Sequence, residues 1–242
     1  MFVEGYRMVF WYGSPVERFN PIVTKSIIIA NLIVFVIELI APSFMISYFA
    51  LWPNEVLQGH MLWTLITHMF MHANFLHIFF NMYALYLFGP ECEKVFGRKG
   101  FLLLYFFSGL VGVAMHILLC PYRDDPLVGA SGAIFGLLGA YAVLYPHRKM
   151  GMFIFVAFIV LPAWKMILFL IALFTFFALV GILPTIAHFA HIGGIIGGIL
   201  FVWIYKKRYR RTLYEGTPAF MVYTVEYGYE EPEDEDYGYD YY

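Results

Sequence analysis

The chain has 242 residues, of which 62% are hydrophobic, 21% aromatic and only 13% charged. Soluble domains are about 45–50% apolar and about 25% charged, so this composition excludes an ordinary soluble enzyme and a disordered chain. Long stretches carry almost no charge, which indicates a polytopic membrane protein. The two cysteines, Cys92 and Cys120, define no disulfide framework.

The hydropathy pattern predicts an all-α membrane protein with six spanning helices, because about 20 apolar residues in a helix cross a bilayer. In chain order, the predicted spans are residues 24–41, 68–87, 101–120, 129–145, 163–183 and 188–205. The apolar stretch 151–183 is too long for one span and too short for two, and Pro162 divides it. We therefore expect residues 152–161 to form an interfacial or re-entrant segment before the fifth span.

The distribution of charge predicts the domain organisation and the orientation in the membrane. Thirteen of the 15 Lys and Arg residues fall on one side of the six predicted spans, so the positive-inside rule places both termini in the cytoplasm. We expect a cytoplasmic N-terminal segment (1–21), a six-helix membrane domain (22–205) and a cytoplasmic C-terminal region (206–242). The C-terminal region begins with a basic segment. It ends in a tail with eight acids and six tyrosines over residues 226–242, which is typical of disorder.

Three predicted spans concentrate polar side chains where lipid would be expected, and such residues are functional candidates because they are costly in a membrane. They are His68, His72, His77 and Asn81 in the second span, Ser131 in the fourth, and His188 and His191 in the sixth. His77 and Asn81 are four residues apart and share one helix face. In the predicted topology, all three clusters lie toward the outer side of the membrane.

Glycine spacing suggests how the fourth and sixth spans meet. Four glycines at steps of three and four residues run down the fourth span, and two overlapping G-x-x-x-G pairs lie in the sixth. Small residues allow helix backbones to approach closely in lipid. If these helices pack, Ser131 and His191 come within hydrogen-bond reach. Ser131 also sits at a helix start, where unpaired amides favour negative charge, and Phe135 would form an aromatic wall one turn further on.

These residues resemble the rhomboid family of intramembrane serine proteases. The resemblance rests on H-x-x-x-H-x-x-x-x-H-x-x-x-N at residues 68–81, G-x-S-G at 129–132 and A-H-x-x-G at 190–194, with Gly198 continuing the glycine repeat. The three motifs fall on the second, fourth and sixth spans, as in the family, and the similarity covers about residues 22–205. One departure is Trp63-Thr64, where the family often has Trp-Arg.

The resemblance implies an intramembrane serine endopeptidase with a Ser131–His191 catalytic dyad. Ser131 would be the nucleophile and His191 the general base, while His77 and Asn81 would donate hydrogen bonds to the oxyanion. Supporting residues would be His72, Gly129, Phe135, Gly194 and Gly198. Substrates would be transmembrane helices within the lipid bilayer, entering past the fifth span and the loop near Pro184. The active site would open to the outside of the cell membrane. No metal, organic cofactor or nucleic acid is implied.

Two alternatives remain open at the level of the sequence. A metal- or haem-binding membrane protein, such as a transporter or electron carrier, could use His68 with His72 and His188 with His191, since both pairs have workable helical spacing. No H-E-x-x-H signature accompanies them. The second alternative is an inactive relative that only binds membrane helices, although all four expected catalytic groups are present.

Overall fold

The computed structural model describes residues 19–120, 125–154, 157–181 and 187–215. Most of the predicted N-terminal segment, the acidic tail and the loop near Pro184 lie outside these residues. The elements in chain order are α1 (Ile22–Ile40), α2 (Pro42–Phe49), α3 (Pro53–Leu57), α4 (Thr64–Thr67), a 3₁₀ turn (His68–Phe70), α5 (Phe75–Leu119), α6 (Ser131–Leu144), β1 (Lys149–Ile154), β2 (Ala157–Pro162), α7 (Ala163–Val180) and α8 (His188–Glu215).

The protein is a helical membrane bundle, as the composition predicts. Among the described residues, α1, α5, α7 and the first 18 residues of α8 are long and apolar enough to cross a membrane, whereas α6 is shorter, with 14 residues. The 45-residue α5 is interrupted at Gly97, whose φ of 67° is not helical. Glycine adopts this conformation without steric cost, so α5 consists of two limbs, 75–96 and 98–119. The number of six spans stays a prediction.

A β-hairpin forms where the sequence suggested an interfacial or re-entrant segment, and it is the exception to the all-α prediction. Strands β1 and β2 are antiparallel, with Phe153 opposite Phe158, and these two rings lie 5.0 Å apart. Met150 on the other face is buried, while Phe153 and Phe158 are exposed. The segment is rich in aromatic and β-branched residues, which suit a strand with two different faces. Pro162 ends the hairpin and precedes α7.

Two helices that carry candidate residues begin later than predicted. Residues 68–74 form a 3₁₀ turn and an extended segment, and α5 begins only at Phe75. The cause is Asn74, whose side chain accepts a hydrogen bond from the His77 amide at 2.9 Å and caps the helix. Similarly, α6 begins at Ser131 rather than at Gly129, because Gly129 has a φ of 127°. The first residues of both motifs are therefore loop residues that precede a helix.

A buried carboxylate from α5 caps the N-terminus of α1. Glu93 accepts hydrogen bonds from the amides of Val23 and Thr24 at 3.0 and 2.8 Å, and from the Thr24 hydroxyl at 2.8 Å. No local side chain caps α1, and the N-terminus of a helix favours negative charge. Glu93 therefore fastens α1 to the first limb of α5.

The loop between α1 and α5 is braced by side chains that bond to the backbone. Trp63 Nε1 donates to the Tyr48 carbonyl at 2.8 Å, and Thr67 donates to the Phe49 carbonyl at 2.9 Å. Thr64, at the position where the rhomboid pattern often has Arg, is buried and donates to the Met61 carbonyl at 2.7 Å. The tryptophan thus holds the loop without a neighbouring arginine.

Candidate active site

The serine and the histidine identified in the sequence meet at the N-terminal ends of two helices. Ser131 is the first residue of α6, and His191 lies in the first turn of α8. Ser131 Oγ is 2.8 Å from His191 Nε2, which is a hydrogen-bond distance. His191 is only 9% exposed, so its imidazole is shielded from bulk solvent, while Ser131 is half-buried. A hydroxyl in this position can transfer its proton to the imidazole as it attacks a carbonyl carbon.

Glycines allow α6 and α8 to approach closely at this level. A Cβ at Gly194 would collide with the carbonyl oxygen of Gly132 and lie 2.9 Å from its carbonyl carbon. One turn further on, a Cβ at Gly198 would collide with the carbonyl oxygen of Gly136 and lie 2.7 Å from its carbonyl carbon. Close backbone contact through small residues is a common way to pack helices in membranes. The serine and histidine can therefore meet only while these positions of α8 lack a side chain.

His77 and Asn81 border the space in front of Ser131. A Cβ at Gly129 would lie 2.8 Å from His77 Nε2 and 3.6 Å from Ser131 Oγ, so these two atoms face the same gap. Asn81 Nδ2 is buried and has no hydrogen-bond partner within the described part of the chain. The Ser131 amide belongs to the first turn of α6, where backbone donors lack intrahelical acceptors. Together these groups can donate to an oxygen atom that acquires negative charge.

A cavity of about 490 Å³ connects this site to the β-hairpin. Met152 and Phe153 of β1 contribute to its apolar lining. Its polar lining includes Ser131, His191, His77 and Asn81. A water molecule occupies about 30 Å³ in the liquid, so the cavity has room for several waters or for a short stretch of polypeptide. The polar groups thus face an internal space within the bundle.

Two aromatic rings hold the imidazole of His191. The Phe135 ring lies 4.5 Å from it, measured between centroids, and the Phe174 ring lies 4.9 Å from it. His191 Nδ1 is buried and makes no hydrogen bond with any residue that the structure describes. Ring packing, rather than a carboxylate, therefore orients this imidazole. The sequence predicted the contribution of Phe135 but not that of Phe174, because α7 contains many phenylalanines and nothing distinguishes this one.

One of the two histidine pairs of the metal-binding alternative, His68 with His72, does not form. His68 Nδ1 lies 2.7 Å from the Thr64 carbonyl oxygen, while the His72 ring contacts His77 edge-on at 5.0 Å. His68 and His72 precede α5, so their spacing of four residues does not place them on one helical face. Over the described ranges, no group of three His, Cys, Asp or Glu side chains could hold a metal ion.

One acidic residue near the site is absent from the sequence-based prediction. Both carboxylate oxygens of Glu38, near the C-terminus of α1, lie 3.1 Å from the His72 amide nitrogen. The rule that ionisable residues within a span are functional candidates would have identified Glu38. Its distance in sequence from all three motifs left it without an assigned role.

Comparison with known proteins shows the family to which the chain belongs. A profile of the Rhomboid domain matches residues 59–208, which is more than half of the chain. The chain is 36% identical to the putative rhomboid protease YdcA of Bacillus subtilis over 156 residues, covering 61% of this chain and 70% of that protein. It is 36% identical to the rhomboid protease GluP of the same organism over 138 residues, covering 56% of this chain and 24% of GluP. It is 32% identical to the mitochondrial rhomboid protein 1 of Saccharomyces cerevisiae over 159 residues, covering 59% of this chain and 43% of that protein.

The chain spans less than half the length of GluP and of the yeast protein, so these matches concern the membrane domain. That domain contains all three polar motifs and the helices that carry them. The protein therefore belongs to the rhomboid family of intramembrane serine proteases.

Proposed function

We propose that this protein is a serine endopeptidase that cleaves transmembrane segments of other membrane proteins. The observation that carries the proposal is the 2.8 Å contact between Ser131 Oγ and His191 Nε2, at the edge of a cavity into which further hydrogen-bond donors face. A serine and a histidine in contact, with donors nearby, are the minimum set for acyl transfer.

In the proposed reaction, Ser131 Oγ attacks the carbonyl carbon of the scissile peptide bond. With its proton on Nδ1, His191 accepts the hydroxyl proton at Nε2 and then donates it to the leaving amine. A water molecule, deprotonated by the same nitrogen, hydrolyses the acyl-enzyme and regenerates the serine. Phe135 and Phe174 keep the imidazole in position through both steps, in the place of the aspartate found in soluble triads.

The developing oxyanion would be bound by the Ser131 amide and by the side chains of His77 and Asn81. The unpartnered Nδ2 of Asn81 supports this role, because a buried donor without an acceptor is costly unless a ligand supplies one. Loss of one such donor typically reduces the rate by about 10²–10³.

Hydrolysis requires water, so the active site must open to an aqueous phase. We propose that it opens to the outside of the membrane with both termini in the cytoplasm, which the distribution of Lys and Arg favours. A substrate helix would enter laterally past α7 and unwind locally, since a helical peptide bond is shielded by its own hydrogen bonds. Residues with low helix propensity near the cut would assist this unwinding.

The test is cleavage of a panel of single-span membrane proteins in liposomes. We expect the wild-type protein to cleave at least one of them, and Ser131→Ala and His191→Ala to be inactive while remaining folded. A fluorophosphonate that reacts with activated serines should label the wild type but not Ser131→Ala.

Ser108→Ala is the matched control. Ser108 is another buried serine, and its side chain would contact a Cβ placed at Gly136, away from the imidazole. This variant should be labelled and should cleave like the wild type. Undiminished cleavage by Ser131→Ala would refute the proposed mechanism.

A further inference from the structure

Glu38 occupies a position that is unfavourable for a carboxylate in two ways. It lies in a mostly apolar spanning helix, where charge is costly. It also lies within the last turn of α1, where the helix dipole disfavours negative charge. Its compensation is the His72 amide, which donates to both carboxylate oxygens at 3.1 Å. His72 belongs to the extended segment that leads into α5 and its polar face.

The next amide along the chain, that of Ala73, contacts His77, which is a candidate oxyanion donor. The Ala73 amide donates a hydrogen bond to His77 Nδ1 at 3.4 Å. Since Nδ1 accepts this bond, the proton of the neutral ring must be on Nε2. Nε2 is also the atom that faces the gap in front of Ser131, as the position of a Cβ at Gly129 indicates.

We propose that Glu38 is a positioning residue that keeps His77 in the tautomer able to donate to the oxyanion. Its carboxylate fixes the peptide between Met71 and His72. The next peptide carries the Ala73 amide, which then fixes the proton of His77 on Nε2. This inference rests on the proposed function, because the tautomer matters to the rate only if His77 binds an oxyanion.

The tautomer itself can be measured without a substrate. In protein labelled with ¹⁵N-histidine, the ring nitrogen shifts of His77, assigned by comparison with His77→Gln, should show a protonated Nε2 and a bare Nδ1. In Glu38→Ala, we expect a mixture of the two tautomers. In Glu38→Gln, the amide oxygen can still accept from His72, so the wild-type tautomer should largely persist.

The same variants should differ in turnover rather than in substrate binding. We expect Glu38→Ala to lower kcat and the rate of fluorophosphonate labelling by about tenfold, less than the loss of a whole oxyanion donor, with KM unchanged. Glu38→Gln should recover most of this loss. Glu91→Ala, which removes an exposed carboxylate paired with Arg148 at 3.2 Å, should behave like the wild type.

A second control separates positioning from folding. Glu93→Ala removes the carboxylate that caps α1 and should lower thermal stability while leaving the His77 tautomer unchanged. Wild-type turnover and an unchanged tautomer in Glu38→Ala would overturn the inference, and so would a loss of turnover that merely follows a loss of stability. If the wild type cleaves no substrate and is not labelled, the proposed function fails, whereas the tautomer measurement still decides the role of Glu38.

Discussion

Gly194→Ala tests whether close helix contact creates the dyad. The added Cβ would collide with the carbonyl oxygen of Gly132 and lie 2.9 Å from its carbonyl carbon. Carbon atoms prefer separations of about 3.5–4.0 Å, so the two backbones must move apart by roughly 0.6–1.1 Å. Gly132 follows Ser131 directly, and Gly194 lies three residues after His191, so the displacement acts at the level of the dyad.

This displacement is large compared with the tolerance of the hydrogen bond. The distance between Ser131 Oγ and His191 Nε2 is 2.8 Å, and a shift of about 1 Å along it exceeds the range of a good hydrogen bond. Misplacement of catalytic groups by about 1 Å can cost about 10²-fold in rate. Overpacking of a well-packed interior also costs about 1–3 kcal/mol of folding free energy. We therefore expect a labelling rate and a turnover lower by about two orders of magnitude.

The assay combines fluorophosphonate labelling, cleavage in liposomes and thermal unfolding in detergent. Gly132→Ala is the matched control, because the nearest atom to its new Cβ is the Ala190 carbonyl oxygen at 3.6 Å, an ordinary contact. Its stability should not fall, since alanine is favoured over glycine in a helix. If Gly194→Ala keeps wild-type stability and labelling, or if both glycine variants are equally impaired, the reasoning from helix contact is wrong.

Three further substitutions separate folding from catalysis. Glu93→Ala should lower the free energy of unfolding by about 3 kcal/mol, because it leaves buried amides without their charged acceptor, with turnover per folded molecule unchanged in thermal-unfolding and cleavage assays. Gly129→Ala should reduce turnover by about 10²-fold, because its Cβ would lie 2.8 Å from His77 Nε2 and displace the ring. Normal turnover in this variant would show that catalysis does not require the His77 ring in its present position. Phe135→Ala should slow fluorophosphonate labelling by about tenfold, as expected when a catalytic base loses its orientation, and an unchanged rate would indicate that other contacts suffice to orient His191.

The candidate site was predictable from the sequence because each of its groups is expensive in lipid. A serine between two glycines, a histidine before a glycine repeat, and a histidine and asparagine on one helix face are unusual within apolar spans. Helical spacing identifies which glycines form a smooth surface. These local patterns also predicted the helical membrane architecture, since hydropathy alone determines which segments enter a bilayer.

The sequence was less informative where long-range contacts decide the structure. The hairpin at β1 and β2 depends on pairing between segments that hydropathy cannot distinguish from a buried helix. The late start of α5 depends on the cap formed by Asn74. The apolar pattern continues back to His68 and therefore predicts an earlier helix start than the cap allows. The second ring beside His191 comes from α7, where Phe174 is one of many phenylalanines.

The sequence by itself determined that this is a helical membrane protein. It also showed a serine and several histidines within apolar spans, where such side chains are costly and a chemical role is the natural explanation. Only the tertiary structure decided how close these groups lie, because the distance between α6 and α8 is set by contacts of glycine with backbone carbonyls. It also decided that Glu38 reaches the segment before α5. Hydropathy is a property of each segment alone, whereas a hydrogen bond between residues far apart in the chain exists only after the helices have packed.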